Sequence, residues 1–163
     1  MTETVARQVT VATAASMREL GARLGRLCRG GDVVVLSGEL GAGKTTLTQG
    51  LAVGLGIDEA VTSPTFVIAR VHVHPSEGPD LVHVDAYRVG SAIELDDLDL
   101  DTDLESSVVV VEWGSGLAER LSATRLDVAI VRPQGEDDET RTVILTPHGE
   151  YWTGALADEA WPS

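Results

Sequence analysis

Between residues 32 and 55 an apolar run, a glycine-rich turn and a new apolar periodicity follow one another. Few folds accommodate that succession. Asp32-Val33-Val34-Val35-Leu36-Ser37 has the length and β-branched content of a buried central strand. Gly38-Glu39-Leu40-Gly41-Ala42-Gly43-Lys44-Thr45 comes next, in the pattern G-x-x-x-x-G-K-T. Leu47, Leu51 and Leu55 then recur at helical spacing, which predicts a helix from Thr45 to about Leu55, weakened and stopped by Gly54 and Gly56. In a strand–loop–helix of this kind, backbone N–H groups and a helix N-terminus converge on a phosphate chain. Lys44 is the single lysine among 12 basic residues; the rest are arginines. A loop wrapped closely around phosphates leaves room for a compact ammonium acting as a point charge, not for a planar guanidinium fork.

Bulk properties narrow the setting. A length of 163 residues predicts one domain, 1–163, with a tail from 147 onward that carries no clear pattern. The net charge of −14 repels a nucleic-acid backbone, so no direct high-affinity nucleic-acid binding is expected. Apolar runs such as Val108–Val111 are strand-sized, the first residues lack the pattern of a leader, and Cys28 stands alone. These features predict a cytoplasmic protein without membrane association.

The pattern predicts an amphipathic helix over 13–29, with Met17, Leu20, Leu24, Leu27 and Cys28 on one face and Gly30-Gly31 ending it. Thr65–His74 and Leu81–Asp85 read as a hairpin joined by turn residues 75–80. Ser107–Val111 reads as a buried strand, Gly114–Leu121 as a short helix, and Leu126–Val131 and Thr140–Leu145 as strands. The four histidines, His72, His74, His83 and His148, show no metal-ligand spacing; His72 and His74 read as surface alternation.

Binding phosphates is not hydrolysis, which needs a metal ion and a means of orienting water. Thr45 is placed to offer its hydroxyl to Mg²⁺. Two strands end in an acid, Asp85 and Glu112, at the sheet edge where ligands of open α/β sheets bind. One acid can hold the metal while the other orients water; spacing does not divide the roles. Glu39, inside the loop, either points to solvent or approaches the metal. Guanine selection by an Asn-Lys-x-Asp motif is excluded, since the chain has no asparagine and its lysine is already used. ATP is therefore the expected nucleotide. Residues 94–105 carry seven acids, and the window from Asp97 has Thr102 where a calcium loop needs glycine. That segment reads as a solvated face or a partner-binding edge.

Four motifs in order, Gly38 to Thr46, Ser63-Pro64-Thr65-Phe66, His83-Val84-Asp85-Ala86-Tyr87-Arg88 and Val111-Glu112-Trp113, resemble the TsaE (YjeE) family, the P-loop ATPases of bacterial tRNA threonylcarbamoyladenosine biosynthesis. The resemblance implies an α/β P-loop NTPase fold, three-layered around a mixed, largely parallel central sheet. It also implies ATP and Mg²⁺ as cofactors, slow hydrolysis, and action with TsaD and TsaB, which transfer the threonylcarbamoyl group to an adenosine of tRNA. On that resemblance, Glu39, Leu40, Gly41, Ala42, Gly43, Lys44, Thr45 and Thr46 would form the phosphate cradle. Thr45, Asp85 and Glu112 would serve the metal, and Lys44, Asp85 and Glu112 the reaction. Ser63 and Thr65 would form a switch beside the terminal phosphate, and Tyr87, Arg88 and Trp113 would line or brace the site. Met17 stands where many relatives have threonine, leaving Thr13 as the nearest candidate for the adenine. Gly114 replaces a proline that often follows the Glu-Trp pair. A small-molecule kinase, or a module that senses ATP without hydrolysing it, would use the same loop. A kinase would normally add an arginine-rich lid and a substrate domain, and the sequence shows neither.

Overall fold

Seven strands and three helices are formed by the residues that the computed structural model describes: 6–38, 43–57, 69–85, 106–112, 124–132 and 140–157. In chain order they are β1 (Arg7–Val11), α1 (Ala14–Leu27), β2 (Val33–Gly38), α2 (Lys44–Leu55), β3 (Ala69–His72), β4 (Leu81–Asp85), β5 (Val108–Glu112), β6 (Arg125–Val131), β7 (Arg141–His148) and α3 (Glu150–Ala157). The strands make one sheet in the order β1-β7-β6-β2-β5-β4-β3. Its centre, β6-β2-β5-β4, is parallel. Antiparallel pairs flank it, β4 with β3 at one side and β6 with β7 and then β1 at the other. The expected α/β architecture with a mixed central sheet is therefore what the chain forms.

Pleating sends alternate side chains to opposite faces. On one face Val34, Leu36, Val108, Val110, Leu126 and Val128 pack with Leu20 and Leu24 of α1 and Leu47 and Leu51 of α2. On the other, Val33, Val35, Val82, Val84, Val109 and Val111 are buried as well. The central strands are thus covered on both sides, as a three-layer arrangement requires.

Thr13 starts α1 as its N-cap, its hydroxyl accepting from the Ser16 N–H at 3.1 Å. Met17, Leu20 and Leu24 bury the predicted stripe. Hydrophobic counting did not show how α1 meets α2. Gly21 and Gly25 face Gly50 and Gly54, and a β-carbon on any of the four would strike backbone of the opposite helix at 2.0–2.3 Å. Four glycines in helix interiors each weaken the helix, and here they let the two backbones touch. Gly54, expected to help stop α2, lies inside it. The stop is Gly56, with φ at +95°.

The strand β1 and the helix α3 were not foreseen. The tail turns back at Gly149 and α3 docks on the C-terminal end of α1. Trp152 is completely buried, and the Tyr151 hydroxyl donates to the Leu27 carbonyl. Arg29 lies over the Tyr151 ring, 3.3 Å from its centre. Arg29 also donates its backbone N–H to the buried carboxylate of Asp32. The hairpin holds from Ala69 onward, and 65–68 lie outside the described residues. Its histidines are not surface alternation: His72 is buried, and His74 ties the turn to α2. The His74 Nδ1 accepts from the Ser76 N–H at 2.9 Å while Nε2 donates to the Leu55 carbonyl at 3.0 Å.

Burial pushes the Asp32 carboxyl above its ordinary value, and the hydrogen bond and charge of Arg29 only partly oppose this. The folded state therefore holds this proton more tightly than the unfolded chain. The group's contribution to stability is full below the unfolded value of 3.8 and is lost as pH rises through the raised folded value. Asp32→Asn keeps an oxygen for the Arg29 N–H and removes that loss. Urea unfolding of both proteins is expected to show the variant gaining on the wild type as pH rises from about 4 toward neutrality. A constant difference would show that Asp32 ionises alike in both states.

Candidate nucleotide site

Lys44 is the first residue of α2 and only 7% exposed. Its ammonium donates to the Gly38 carbonyl at 2.8 Å, so it reaches back to the end of β2 and joins the two ends of the glycine-rich loop. Burying an ammonium is costly without polar or anionic partners. Gly43 caps the helix at φ +116°, a left-handed backbone that side chains rarely adopt. No side chain caps α2, so its first N–H groups and the positive end of its dipole lie beside the ammonium. Such a combination suits an anion such as a polyphosphate. Thr45 and Thr46 stand half-buried in the first turn, and Thr48 returns its hydroxyl to the Lys44 carbonyl at 2.8 Å. Met17 lies close to Gly43: a β-carbon there would come within 3.2 Å of its terminal methyl group.

The parallel register brings the two strand-end acids together. Asp85, last in β4, is the direct partner of Glu112, last in β5. Glu112 in turn pairs with Leu36, two residues before Gly38. Both acids thus end their strands at the edge from which the loop departs, as ligand sites of open α/β sheets require. The Glu112 carboxylate is 5% exposed as a residue, and its Oε1 lies 3.5 Å from Nε2 of the fully buried His83.

Among the described residues no three His, Cys, Asp or Glu side chains gather as a metal cage. Mg²⁺ needs none, because it keeps several waters and binds through one or two carboxylates together with phosphate oxygens. A threonine hydroxyl in the first turn of α2 and a buried carboxylate at the end of β5 are oxygen donors of the kind this ion takes.

Of the other residues singled out in the sequence, Glu39, Leu40, Gly41, Ala42, Ser63, Thr65, Phe66, Tyr87, Arg88 and Trp113 lie outside the described residues, as do the acidic segment 94–105 and the expected helix 114–121. Thr13 is exposed and occupied as the cap of α1. A cavity of about 230 Å³ opens between β1 and α1, lined by Thr10, Ser16, Glu19 and Arg23 among others. Neither Lys44 nor Glu112 is among the lining residues, so it is separate from the N-terminal end of α2. His83 is the residue of this region that sequence reasoning passed over, although it stood in a quoted motif. Among the described residues no helix is long and apolar enough to cross a membrane.

The chain is similar to proteins of one family. The family model described as "Threonylcarbamoyl adenosine biosynthesis protein TsaE" matches residues 11–143. The tRNA threonylcarbamoyladenosine biosynthesis protein TsaE of Streptomyces coelicolor is 60% identical over 141 residues, covering 85% of this chain and 95% of that protein. The protein of the same description from Mycobacterium tuberculosis is 55% identical over 130 residues, covering 76% and 77%. A crystal structure of Bacillus subtilis YdiB matches the fold with a TM-score of 0.75 at 28% identity, over 97% of this chain and 96% of that one.

Proposed function

Because the chain belongs to the TsaE family of tRNA threonylcarbamoyladenosine biosynthesis, we propose that it is the ATP-binding and ATP-hydrolysing subunit of that pathway, acting with TsaD and TsaB. The observation that carries the reading is the buried Lys44 ammonium, held against the Gly38 carbonyl at the open N-terminus of α2.

In this reading Lys44 and the loop backbone from Glu39 to Gly43 neutralise the β- and γ-phosphates, with Thr45 and Thr46 at the first turn. Thr45 and Glu112 hold Mg²⁺, which when bound would withdraw charge from the terminal phosphate. Asp85, the register partner of Glu112, is the second acid, available to orient the attacking water. Ser63, Thr65 and Trp113 complete the nucleotide side, and Thr13 is the candidate from α1. The strongly acidic chain has no basic field with which to hold tRNA, which suits a subunit that works on tRNA through its partners.

Phosphate release and ATP affinity measured with and without TsaD and TsaB test this reading. Glu112→Gln is expected to lower turnover by about 100-fold or more while leaving ATP affinity within about threefold. Equal turnover in wild type and variant would reject the assignment of Glu112. A phosphorylated small molecule in place of free phosphate would identify a kinase. Binding with no phosphate release, even with both partners present, would identify a sensor.

A further inference from the structure

His83 lies on β4, two residues before the acid that ends the strand, and its imidazole is wholly buried. Across the strand it faces Val110, with Leu81 and Val108 one step back on the same pleat. Neither ring nitrogen makes a hydrogen bond of ordinary geometry. That is a rare state for a buried polar ring. Oε1 of Glu112 approaches it, at 3.5 Å from Nε2. This is more than half an ångström beyond a normal charge-assisted N–H···O contact. Each group supplies what the other lacks. A neutral imidazole has one N–H to donate, and an ionised carboxylate only accepts. Both are withdrawn from water, so neither finds a substitute there.

We propose that His83 is a positioning residue: it donates an Nε2–H to Glu112 Oε1 and fixes the orientation of that carboxylate at the sheet edge. The inference rests on the reading above for what Glu112 does in catalysis; the contact itself does not depend on that reading. The parallel register makes it possible, because Glu112 lies one pleat further along than the Val110 that faces His83.

Imidazole ¹⁵N–¹H spectra of the nucleotide-free protein test the contact. The expected result is a proton on Nε2 whose signal moves in Glu112→Gln. A proton on Nδ1 alone, or an Nε2 signal that Glu112→Gln leaves in place, would overturn the proposal without bearing on ATP hydrolysis. Kinetics then test the consequence. His83→Phe, similar in size but without a donor, is expected to lower kcat by about tenfold with ATP affinity within about twofold. His83→Gln restores a donor and should recover most of that loss. Equal kcat in both variants and the wild type would make His83 a packing residue only. Should the spectra show the Nε2–Glu112 contact in a protein that releases no phosphate, the contact stands and the hydrolysis reading falls.

Discussion

Lys44→Ala is expected to abolish ATP turnover and to weaken ATP binding by roughly 10- to 100-fold, the range for losing hydrogen bonds to a charged group. The ammonium is nearly buried and is held by the Gly38 carbonyl, so it is in place before any nucleotide arrives and costs little to organise on binding. Lys44→Arg should fail almost as badly, although it keeps the charge. The guanidinium is longer and planar, and the loop must close from Gly38 to Gly43 around whatever occupies this position. Calorimetry with Mg²⁺ and ATP measures affinity, and phosphate release measures turnover. Thermal unfolding of the free variants serves as the control for folding. Nucleotide affinity unchanged in Lys44→Ala would remove the phosphate site from the end of α2.

Gly50→Ala is expected to destabilise the protein by about 3 kcal/mol, near the upper end for overpacking. On propensity alone the change should favour the helix by about 0.5–1 kcal/mol. The new methyl group, however, would lie 2.0 Å from the Arg18 carbonyl oxygen, 2.7 Å from its carbonyl carbon and 2.8 Å from its α-carbon. All three are backbone, so α1 and α2 must move apart. For a chain of this size the loss corresponds to a fall in Tm of roughly 6–12 °C. Gly154→Ala in α3 is the internal control, since nothing lies within 4 Å of its new methyl group. It should raise stability by about 0.5–1 kcal/mol. Opposite signs for one chemical change at two helical sites, read by calorimetry, would confirm that contact decides the outcome. A neutral Gly50→Ala would show that the helices separate freely. Because α2 carries Lys44 and α1 carries the Met17 that lies close to Gly43, separating them should also weaken nucleotide binding in whatever fraction remains folded.

What the sequence made legible was local. Met17, Leu20 and Leu24 declared α1 by their 3.6-residue spacing, and the valine runs ending in Asp85 and Glu112 declared β4 and β5. The glycine loop placed α2 within one residue of its observed start. What escaped depends on contacts distant in the chain. The strand β1 is five residues long at a sheet edge, and only its pairing with β7 makes it a strand. In α3, Trp152 and Leu156 are the buried residues, too few to reveal a period among Gly154 and Thr153. The glycine seam is silent because a residue with no side chain leaves no mark on a hydrophobic pattern. His72 and His74 alternate as exposed residues would, yet burial and a turn claim them. For the site, spacing set each acid at a strand end, but only the register of β4 on β5 showed that Asp85 and Glu112 are partners.

The pairing of β1 with β7 also orders events in time. As the ribosome releases the chain from its N-terminus, Arg7–Val11 has no mate until Arg141–His148 appears, after the other strands of the sheet. The glycine-rich segment between β2 and α2 is synthesised long before that. The growing chain therefore has β2 and α2 in hand early and completes the β1 side of the sheet only once β7 arrives. A premature stop that removes β7 would leave β1 and β6 with bare, sticky flanks, a truncated product suited to aggregation or disposal rather than to partial activity.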